Sequence, residues 1–149
     1  MVRCPTCREC RWTKPIAIGA VIPVVIDPLY LIDTNLCIDL LVGRSPRGAA
    51  RVEQCLDGEL VTSAIVYAEV MIGAEQRGQA GPAAALFRQV PVLPFDSRCG
   101  DVYATLPFKR GNFDRLIAAH ALALNLTLVT NNEADFSETP GLRVENWTQ

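Results

Sequence analysis

Short apolar runs alternate with longer amphipathic stretches from Leu29 onward, and this alternation constrains the fold more than any other feature of the chain. Such a pattern is typical of βα units arranged around a parallel sheet. We therefore predict one α/β domain over residues 29–149, a span that suits a single domain. The predicted strands are LYLID, ELVTS, VPVLPFD, LTLVTNN and LRVENW.

Helices are predicted between these strands. The first covers Asn35–Val42, and the second begins after Ser45 as N-cap with Pro46 in its first position and ends just before Gly58. The prolines of VPVLPFD suit an edge strand, and FKRGN is predicted to be a loop. The remaining predicted helices are SAIVYAEVMIGAEQRG, capped by Thr62 or Ser63, GPAAALFRQV, SRCGDVYATL and FDRLIAAHALALN.

Composition narrows the function classes. An apolar content of 50% is typical of a globular protein. A net charge of −2 gives no overall electrostatic attraction to nucleic acid, so phosphate contacts would depend on local basic groups or metal ions. Of the six cysteines, Cys4, Cys7 and Cys10 have a spacing that can hold zinc or an iron–sulfur cluster but lack a nearby fourth ligand. The other three are scattered, which indicates a reduced, cytoplasmic protein rather than a disulfide framework.

Residues 1–28 are predicted to be a nonessential extension, which an upstream start codon would explain. Their apolar run PIAIGAVIPVVI follows basic residues as in a signal peptide, but no small-residue cleavage site precedes the domain. The run is shorter than the ~20 residues that a membrane-spanning helix needs. We expect no membrane association.

Polar residues end three of the predicted strands. They are Asp33-Thr34-Asn35, Thr62-Ser63 and Thr130-Asn131-Asn132. In an open parallel sheet the carboxyl ends of the strands lie along one edge, where ligands bind. We expect these polar groups to converge there.

Asp33 has the most informative context, because an apolar strand delivers it to that edge. Asp33 is also a suitable helix N-cap, but Thr34 and Asn35 are suitable too, which would leave the Asp33 carboxylate free. Glu69 shares a predicted helix face with core-forming residues, unless it lies at the margin of a broad apolar stripe and reaches water. The residues of that face are Ile65, Val66, Ile72 and Gly73.

Asp114 lies at the start of a helix, in line with Ile117, Ala118 and Ala121. An acid in the first turn also suits the helix dipole, so position alone leaves both interpretations open. Asp135 follows the strand LTLV in a loop that can return it to the same edge, with Glu133 as a rival.

Three further residues are set aside. His120 is nearly opposite Asp114 on the helix and is interpreted as a satisfied structural histidine. Asp39 is assigned to the helix exterior, and Asp96 is interpreted as an ordinary N-cap.

Together, Asp33, Glu69, Asp114 and Asp135 form a candidate cluster of hard oxygen ligands without a compensating lysine in their motifs. Crowded carboxylates repel one another unless protons or a divalent cation neutralise them. Oxygen ligands suit Mg²⁺, or alternatively Mn²⁺, and such a site suits phosphodiester hydrolysis.

The segments LIDTN, TSAIVYAEVMIGAE, FDRLIAAHALALNLTLVTNNEADF and GLRVENW occur in this order. In combination they resemble the VapC-type PIN-domain ribonuclease toxins of toxin–antitoxin systems, over essentially Leu29–Trp147. The resemblance implies a PIN-like three-layer α/β/α fold with a central, mainly parallel sheet. It further implies a dimeric, Mg²⁺-dependent endoribonuclease that a cognate VapB-type antitoxin neutralises.

The family's acids correspond to Asp33, Glu69, Asp114 and Asp135, so the resemblance gives these residues catalytic and metal-binding roles. It implies that Asn35, Thr130 and Asn131 support the metal-binding acids or orient the substrate. Two departures are visible: residues 1–28 have no counterpart, and YATLPFKRGNFD is shorter than the usual approach to the third motif. The shortened approach puts RNA choice and activity in question.

Local basic groups are candidates for RNA contact: Arg44, Arg47, Arg51, Lys109, Arg110 and Arg115. The alternatives are a solvated surface or pairing with an acidic antitoxin tail. A receiver-like domain would need an early acidic pair and a late lysine, and neither is evident in the sequence. A haloacid-dehalogenase-type phosphatase would need Asp-x-Asp at the first strand, where this chain has Asp-Thr-Asn. A PIN fold that binds a partner without catalysis stays open as the alternative function.

Overall fold

The computed structural model describes residues 27–107 and 112–149, in which five strands and six α-helices form one doubly wound unit. The strands are β1 (Tyr30–Ile32), β2 (Leu60–Ser63), β3 (Val92–Leu93), β4 (Thr127–Val129) and β5 (Val144–Glu145). The helices are α1 (Thr34–Val42), α2 (Pro46–Glu53), α3 (Ala64–Gln76), α4 (Ala80–Gln89), α5 (Ser97–Thr105) and α6 (Phe113–Ala123), and a 3₁₀ turn covers Glu133–Phe136.

The sheet has the order β3-β2-β1-β4-β5, and every pair is parallel. Right-handed crossovers place α1–α4 on one face and α5–α6 on the other. Contacts within each of these helix groups agree with that arrangement. The predicted three-layer α/β/α fold with a mainly parallel sheet is therefore confirmed.

The central strands are covered on both faces, which explains why they read as continuous apolar runs. Leu31, Ile32, Leu128 and Val129 are completely buried, and they pack with Val66 of α3 in one core. The short strand β3 lies at an edge of the sheet, as the flanking prolines predicted.

The helix after Ser45 is shorter than predicted. Ser45 does cap it, accepting a hydrogen bond from the Gly48 N–H at 3.0 Å, but α2 ends at Glu53 rather than just before Gly58. The Glu59 carboxylate accepts from the Leu56 N–H at 2.9 Å, and the Glu59 N–H donates to the Leu56 carbonyl at 3.0 Å. This turn replaces the last helical turn.

Several predictions fall outside the described residues. They concern the N-terminal run PIAIGAVIPVVI, the cysteines Cys4, Cys7 and Cys10, and residues 108–111 of the predicted loop, which include Lys109 and Arg110. None of the helices in residues 27–107 and 112–149 combines the length and the hydrophobicity of a membrane span.

The strand order sets the position of the site. From β1 the chain builds outward through β2 to β3, and it then crosses back to place β4 on the other side of β1. This reversal is a topological switch point, where a crevice forms beyond the carboxyl ends of neighbouring strands. Asp33 follows β1 and Thr130 follows β4, so both residues lie at that crevice.

Candidate metal centre

Asp33 is held in place by two protein donors. Its Oδ1 accepts from the Leu36 N–H at 2.8 Å, and its Oδ2 accepts from the Thr130 hydroxyl at 2.5 Å. Asp33 is thus the N-cap of α1, and the expectation that Thr34 or Asn35 would cap and leave it free is wrong. Each carboxylate oxygen has a further lone pair, so capping does not prevent Asp33 from binding a cation.

Burial raises the pKa of Asp33 to about 6. The hydrogen bonds from Leu36 and Thr130 oppose this effect, while the negative charges of Asp114 and Asp39 add to it. The side chain is only 2% exposed. The protein therefore holds a carboxyl group where its charge is unfavourable unless a cation is near.

Glu69 lies on α3, and its Oε2 accepts from the Thr34 hydroxyl at 2.6 Å. Of the residues that shared its predicted face, Val66 is completely buried, but Ile72 is 62% exposed, so the assignment of Ile72 to the core is wrong. Glu69 is half-buried at the margin of the apolar stripe. The Thr34 contact directs it toward the start of α1, next to Asp33 in the chain.

Asp114 occupies the first turn of α6, above Ile117, Ala118 and Ala121, which are buried as predicted. Asn112 caps the helix by accepting from the Asp114 N–H at 2.8 Å. Burial raises the pKa of Asp114, and the charges of Asp135 and Glu69 raise it further. Asp114 therefore interacts electrostatically with each of the other three acids: its charge raises the pKa of Asp33, and the charges of Asp135 and Glu69 raise its own pKa.

Asp135 is exposed on the 3₁₀ turn that follows β4. The side-chain amide of Asn132 donates to its Oδ2, and the Asn132 N–H donates to the Thr130 hydroxyl oxygen at 3.0 Å. Glu133 is exposed on the same turn. Because Asp135 acts on the pKa of Asp114, its charge lies close to the carboxyl edge of the sheet.

The four acids thus share one edge, and none of them forms an ion pair with a Lys or Arg side chain of the described residues. Within residues 27–107 and 112–149, however, no three Asp, Glu, His or Cys side chains are arranged to hold a metal ion directly. Mg²⁺ keeps several of its waters and binds through one or two carboxylates. The oxygen-only donors and their mutual repulsion therefore fit a hydrated Mg²⁺ better than a cage of protein ligands.

The loop after β4 supplies polar groups to the same edge. Thr130 is buried and contacts Asp33, whereas Asn131 donates to Asp39 Oδ2 at 2.7 Å instead of to the four acids. Asp39 was assigned to the helix exterior, and that assignment is wrong, because its side chain is only 17% exposed and it also pairs with Arg44 at 3.1 Å. Asn35 has an exposed side chain.

Sequence reasoning missed two residues, Thr34 and Asp39, as contacts of the site. Both are polar residues on either side of the apolar run Leu36-Cys37-Ile38 at the start of α1, and that pattern was the available signal. Their partners Glu69 and Asn131 lie 35 and 92 residues away, so only the packing of the fold shows which contact each one makes.

His120 is completely buried beneath this edge, with its Nδ1 2.8 Å from the Ser63 hydroxyl and its ring edge-on to Phe95. Its Nε2 has no hydrogen-bond partner in the described parts of the chain, so the histidine is structural but only half satisfied. Burial lowers the pKa of His120, against the opposing charge of Asp96. Asp96 itself caps α5, as predicted, by accepting from the Cys99 N–H at 3.2 Å.

The candidate RNA-binding arginines differ in exposure. Arg115 was predicted to contact RNA, with a solvated surface as the alternative, but it is only 5% exposed, which agrees with neither. Its Nη2 has no hydrogen-bond partner among the described residues. Arg44 is 65% exposed. Arg51 lies over the Trp147 ring, with its guanidinium carbon 5.2 Å from the ring centroid.

Fold and site together define a class: a doubly wound α/β protein whose described residues place acids, rather than a lysine or a glycine-rich loop, at the switch point. The family model of the PIN domain matches residues 30–142. The chain belongs to the PIN-domain family, and within it to the VapC-type proteins.

Similar proteins agree on this assignment. Ribonuclease VapC1 from Haemophilus influenzae is 37% identical over 81% of this chain and 99% of its own length. Ribonuclease VapC2 from Rickettsia felis is 31% identical over 80% of this chain and 98% of its own length. The tRNA(fMet)-specific endonuclease VapC from Shigella flexneri is 28% identical over 80% of this chain and 98% of its own length.

Solved structures show the same fold. VapBC2 from Rickettsia felis, bound to a DNA fragment from its promoter, superposes with a TM-score of 0.73 at 28% identity and covers 80% of this chain and 98% of that one. VapBC-1 from nontypeable Haemophilus influenzae superposes with a TM-score of 0.70 at 32% identity and covers 81% of this chain and 99% of that one.

Proposed function

We propose that the protein is an endoribonuclease toxin of a toxin–antitoxin pair, which hydrolyses RNA phosphodiester bonds with a Mg²⁺ ion held by carboxylates. The observation that carries this proposal is the convergence of Asp33, Glu69, Asp114 and Asp135 at the switch point of a VapC-type chain. Relatives that carry ribonuclease and endonuclease names support it.

Asp33 and Asp114 would bind the ion most directly. Burial and the neighbouring negative charges make the charged form of these two carboxyl groups unfavourable, and a cation would relieve this. Glu69 and Asp135 would complete the site through water or by direct contact. When bound, Mg²⁺ lowers the pKa of a water molecule and stabilises negative charge on phosphate oxygens. Mn²⁺ has the same ligand preference and is expected to replace it.

The chain's own contribution is orientation and charge. Leu36 and Thr130 fix the plane of the Asp33 carboxylate, and Thr34 fixes one oxygen of Glu69. Because these acids are already oriented, little reorganisation of carboxylate side chains is needed when substrate binds. The acids also repel RNA phosphates, so the cation is expected to strengthen substrate binding.

Incubation of the purified protein with mixed RNA tests the proposal directly. We expect cleavage with Mg²⁺ or Mn²⁺, none with EDTA, and none for Asp33→Asn. Asp101→Asn, an exposed acid on α5, is the matched control and should cleave like the wild type. A folded wild type that is inert under all metal conditions would favour the alternative, a PIN fold that binds a partner without catalysis.

A VapB-type antitoxin is the proposed protein partner, since similar structures are VapBC complexes. A groove of about 280 Å³ between α1 and α3, lined mainly by aliphatic side chains, suits an apolar antitoxin segment. Val42 is 47% exposed there, and Arg44 and Arg77 lie at its sides. Val42→Asp should abolish copurification with an antitoxin encoded beside the gene while RNA cleavage persists; retained copurification would rule out this groove.

A homodimer is also proposed, with the exposed apolar residues Tyr67 and Ile72 of α3 as its contact surface. Ile72→Glu should convert a dimer to a monomer in light-scattering measurements, and an unchanged mass would reject this surface. Cys37, Cys55 and Cys99 are free thiols, which suits action in the cytoplasm on cellular RNA.

A further inference from the structure

Asp39 connects three separate parts of the chain. Its Oδ2 accepts from the Asn131 side-chain amide at 2.7 Å, and its Oδ1 pairs with Arg44 Nε at 3.1 Å. Asp39 lies on α1, Arg44 lies just beyond the end of that helix, and Asn131 lies on the loop after β4. A carboxylate that is only 17% exposed and has two partners orders both of them.

The Asn131 contact reaches the acids through the loop itself. Thr130, immediately before Asn131, donates to Asp33, and Asn132, immediately after it, donates to Asp135. Because Asp39 holds the residue between them, it restrains the backbone that presents both contacts. A shift of the loop by a fraction of an ångström would therefore misplace two of the four acids.

Arg44 is held on one side only. Its Nε is engaged by Asp39, and the side chain is 65% exposed, so the remaining N–H groups of its planar guanidinium face outward. Beside it lies a cavity of about 380 Å³, which is lined by Asp39, Arg44, Ser45, Pro46, Arg47 and Thr148. A phosphate group is the anion that suits two guanidinium groups across such a cavity.

The cavity continues along α2. A second cavity of about 350 Å³ shares Arg47 and includes Arg51 and Gln54. The arginines therefore follow one another from the acid-rich edge along the surface of α2, as the negatively charged backbone of a single strand would require.

We propose that Arg44 and Arg47 form a binding subsite for a phosphate group of the RNA strand beside the cleaved bond, and that Asp39 is the positioning residue that ties this subsite to the acids through Asn131. The inference rests on the proposed ribonuclease function. RNA suits the surface better than an acidic peptide, because the subsite is joined through hydrogen bonds to the loop that holds Asp33 and Asp135.

Binding measurements test the subsite. In an Asp33→Asn background, which retains a capping side chain, the affinity for a short single-stranded RNA is followed by fluorescence anisotropy over a series of KCl concentrations. The plot of log affinity against log salt should become shallower by about 0.7 in the Arg44→Ala/Arg47→Ala double variant, the value for one lost phosphate contact in single strands, and by part of that in each single variant. Arg88→Ala is the matched control, because Arg88 is exposed on α4 near the opposite edge of the sheet.

Cleavage kinetics test Asp39. Asp39→Ala and Asn131→Ala should each lower kcat by about 10-fold or more, and the double variant should be no worse than Asp39→Ala, since both remove the same contact. Asp39→Asn keeps an oxygen that accepts from Asn131 and should retain most of kcat, while its KM becomes more sensitive to salt. A merely structural Asp39 would lower the melting temperature without this non-additivity in kcat.

The outcomes separate the two proposals. An inert wild type would overturn the ribonuclease function and this inference together. An active wild type with unchanged salt slopes for Arg44→Ala and Arg47→Ala, or with additive effects of Asp39→Ala and Asn131→Ala, would overturn the inference alone. If Arg44→Ala and Arg47→Ala lost binding to an oligoglutamate peptide while their RNA binding stayed unchanged, the two arginines would belong to a site for a protein partner instead.

Discussion

The Thr130 hydroxyl donates a 2.5 Å hydrogen bond to Asp33 Oδ2 although 97 residues separate them in the chain. The contact joins the carboxyl ends of β1 and β4, the two strands that flank the switch point. With the Leu36 N–H on the other oxygen, it fixes the Asp33 carboxylate by the fold alone. A cation would therefore find this ligand already oriented.

Thr130→Val should raise the pKa of Asp33 above about 6, because the variant removes a donor that favours the charged carboxylate. It also removes the acceptor of the Asn132 N–H, so we expect a loss of about 1–3 kcal/mol in the free energy of unfolding. NMR titration of the carboxyl carbon measures the pKa, and denaturant unfolding measures the stability. Thr105→Val, at an exposed hydroxyl of α5, should change neither; an unaltered Asp33 titration in Thr130→Val would show that the contact does not stabilise the charge.

The metal-free protein should lose stability as the pH rises from about 4 to about 6 through the titration of Asp33. The pKa of this group is raised in the folded state, so the folded state holds the proton more tightly and is favoured below the unfolded pKa. The effect is at most about 3 kcal/mol for the shift to about 6. Asp33→Asn lacks the titration, and its stability relative to the wild type should increase over this range.

Urea unfolding in EDTA at a series of pH values measures this difference, in which the titration of other groups cancels. Asp33→Asn should also raise the melting temperature of the metal-free protein near neutral pH and abolish stabilisation by Mg²⁺. A stability difference that does not vary with pH would mean that Asp33 titrates normally. A variant that Mg²⁺ still stabilises fully would count against Asp33 as a ligand.

Glu69→Gln should greatly reduce both Mg²⁺-induced stabilisation and kcat, because the amide keeps the contact with Thr34 but loses the charge. Thr34→Val keeps the charge and loses the orientation, so its loss should be smaller, about 10-fold in metal affinity. Glu75→Gln is the control on the same helix, with an exposed side chain. Thermal shift with Mg²⁺ and steady-state cleavage report the two quantities, and equal behaviour of Glu69→Gln and Glu75→Gln would remove Glu69 from the site.

His120→Leu should retain RNA cleavage, because His120 is buried against Ser63 and Phe95 rather than at the acid-rich edge. Burial lowers the pKa of His120, so the unfolded chain takes up the proton first and the wild type loses stability as the pH falls below about 6.5. The variant should lose this part of the acid sensitivity in unfolding measurements between pH values around 5 and 7. Abolished cleavage in a variant that is folded would instead make His120 a catalytic base.

The edge of the sheet that carries the site was predictable because its determinants are local. Asp33 and Thr130 each follow a short apolar strand, and parallel strands present their carboxyl ends together. Asp114 was likewise predictable, because helix periodicity aligned it with the buried residues Ile117 and Ala118. These statements need only the order of elements and their periods.

The contacts across the site were not predictable from such local rules. Ile72 has the period of a core residue, but nothing in the described structure covers it, so 62% of its surface is exposed. Conversely, Asp39 looked like a surface residue and proves to be held between Arg44 and Asn131. Both outcomes depend on which elements pack on α1 and α3, and periodicity identifies a helix face without identifying its neighbour.

Anomalous scattering from crystals grown with Mn²⁺ tests most directly the claim that the acids at the switch point hold a divalent cation. We predict one or more peaks beyond the carboxyl ends of β1 and β4, with ligand contacts from Asp33 and Asp114 and with Glu69 and Asp135 bound directly or through water. A peak bound elsewhere, or none at this edge at a Mn²⁺ concentration that supports RNA cleavage, would contradict the account.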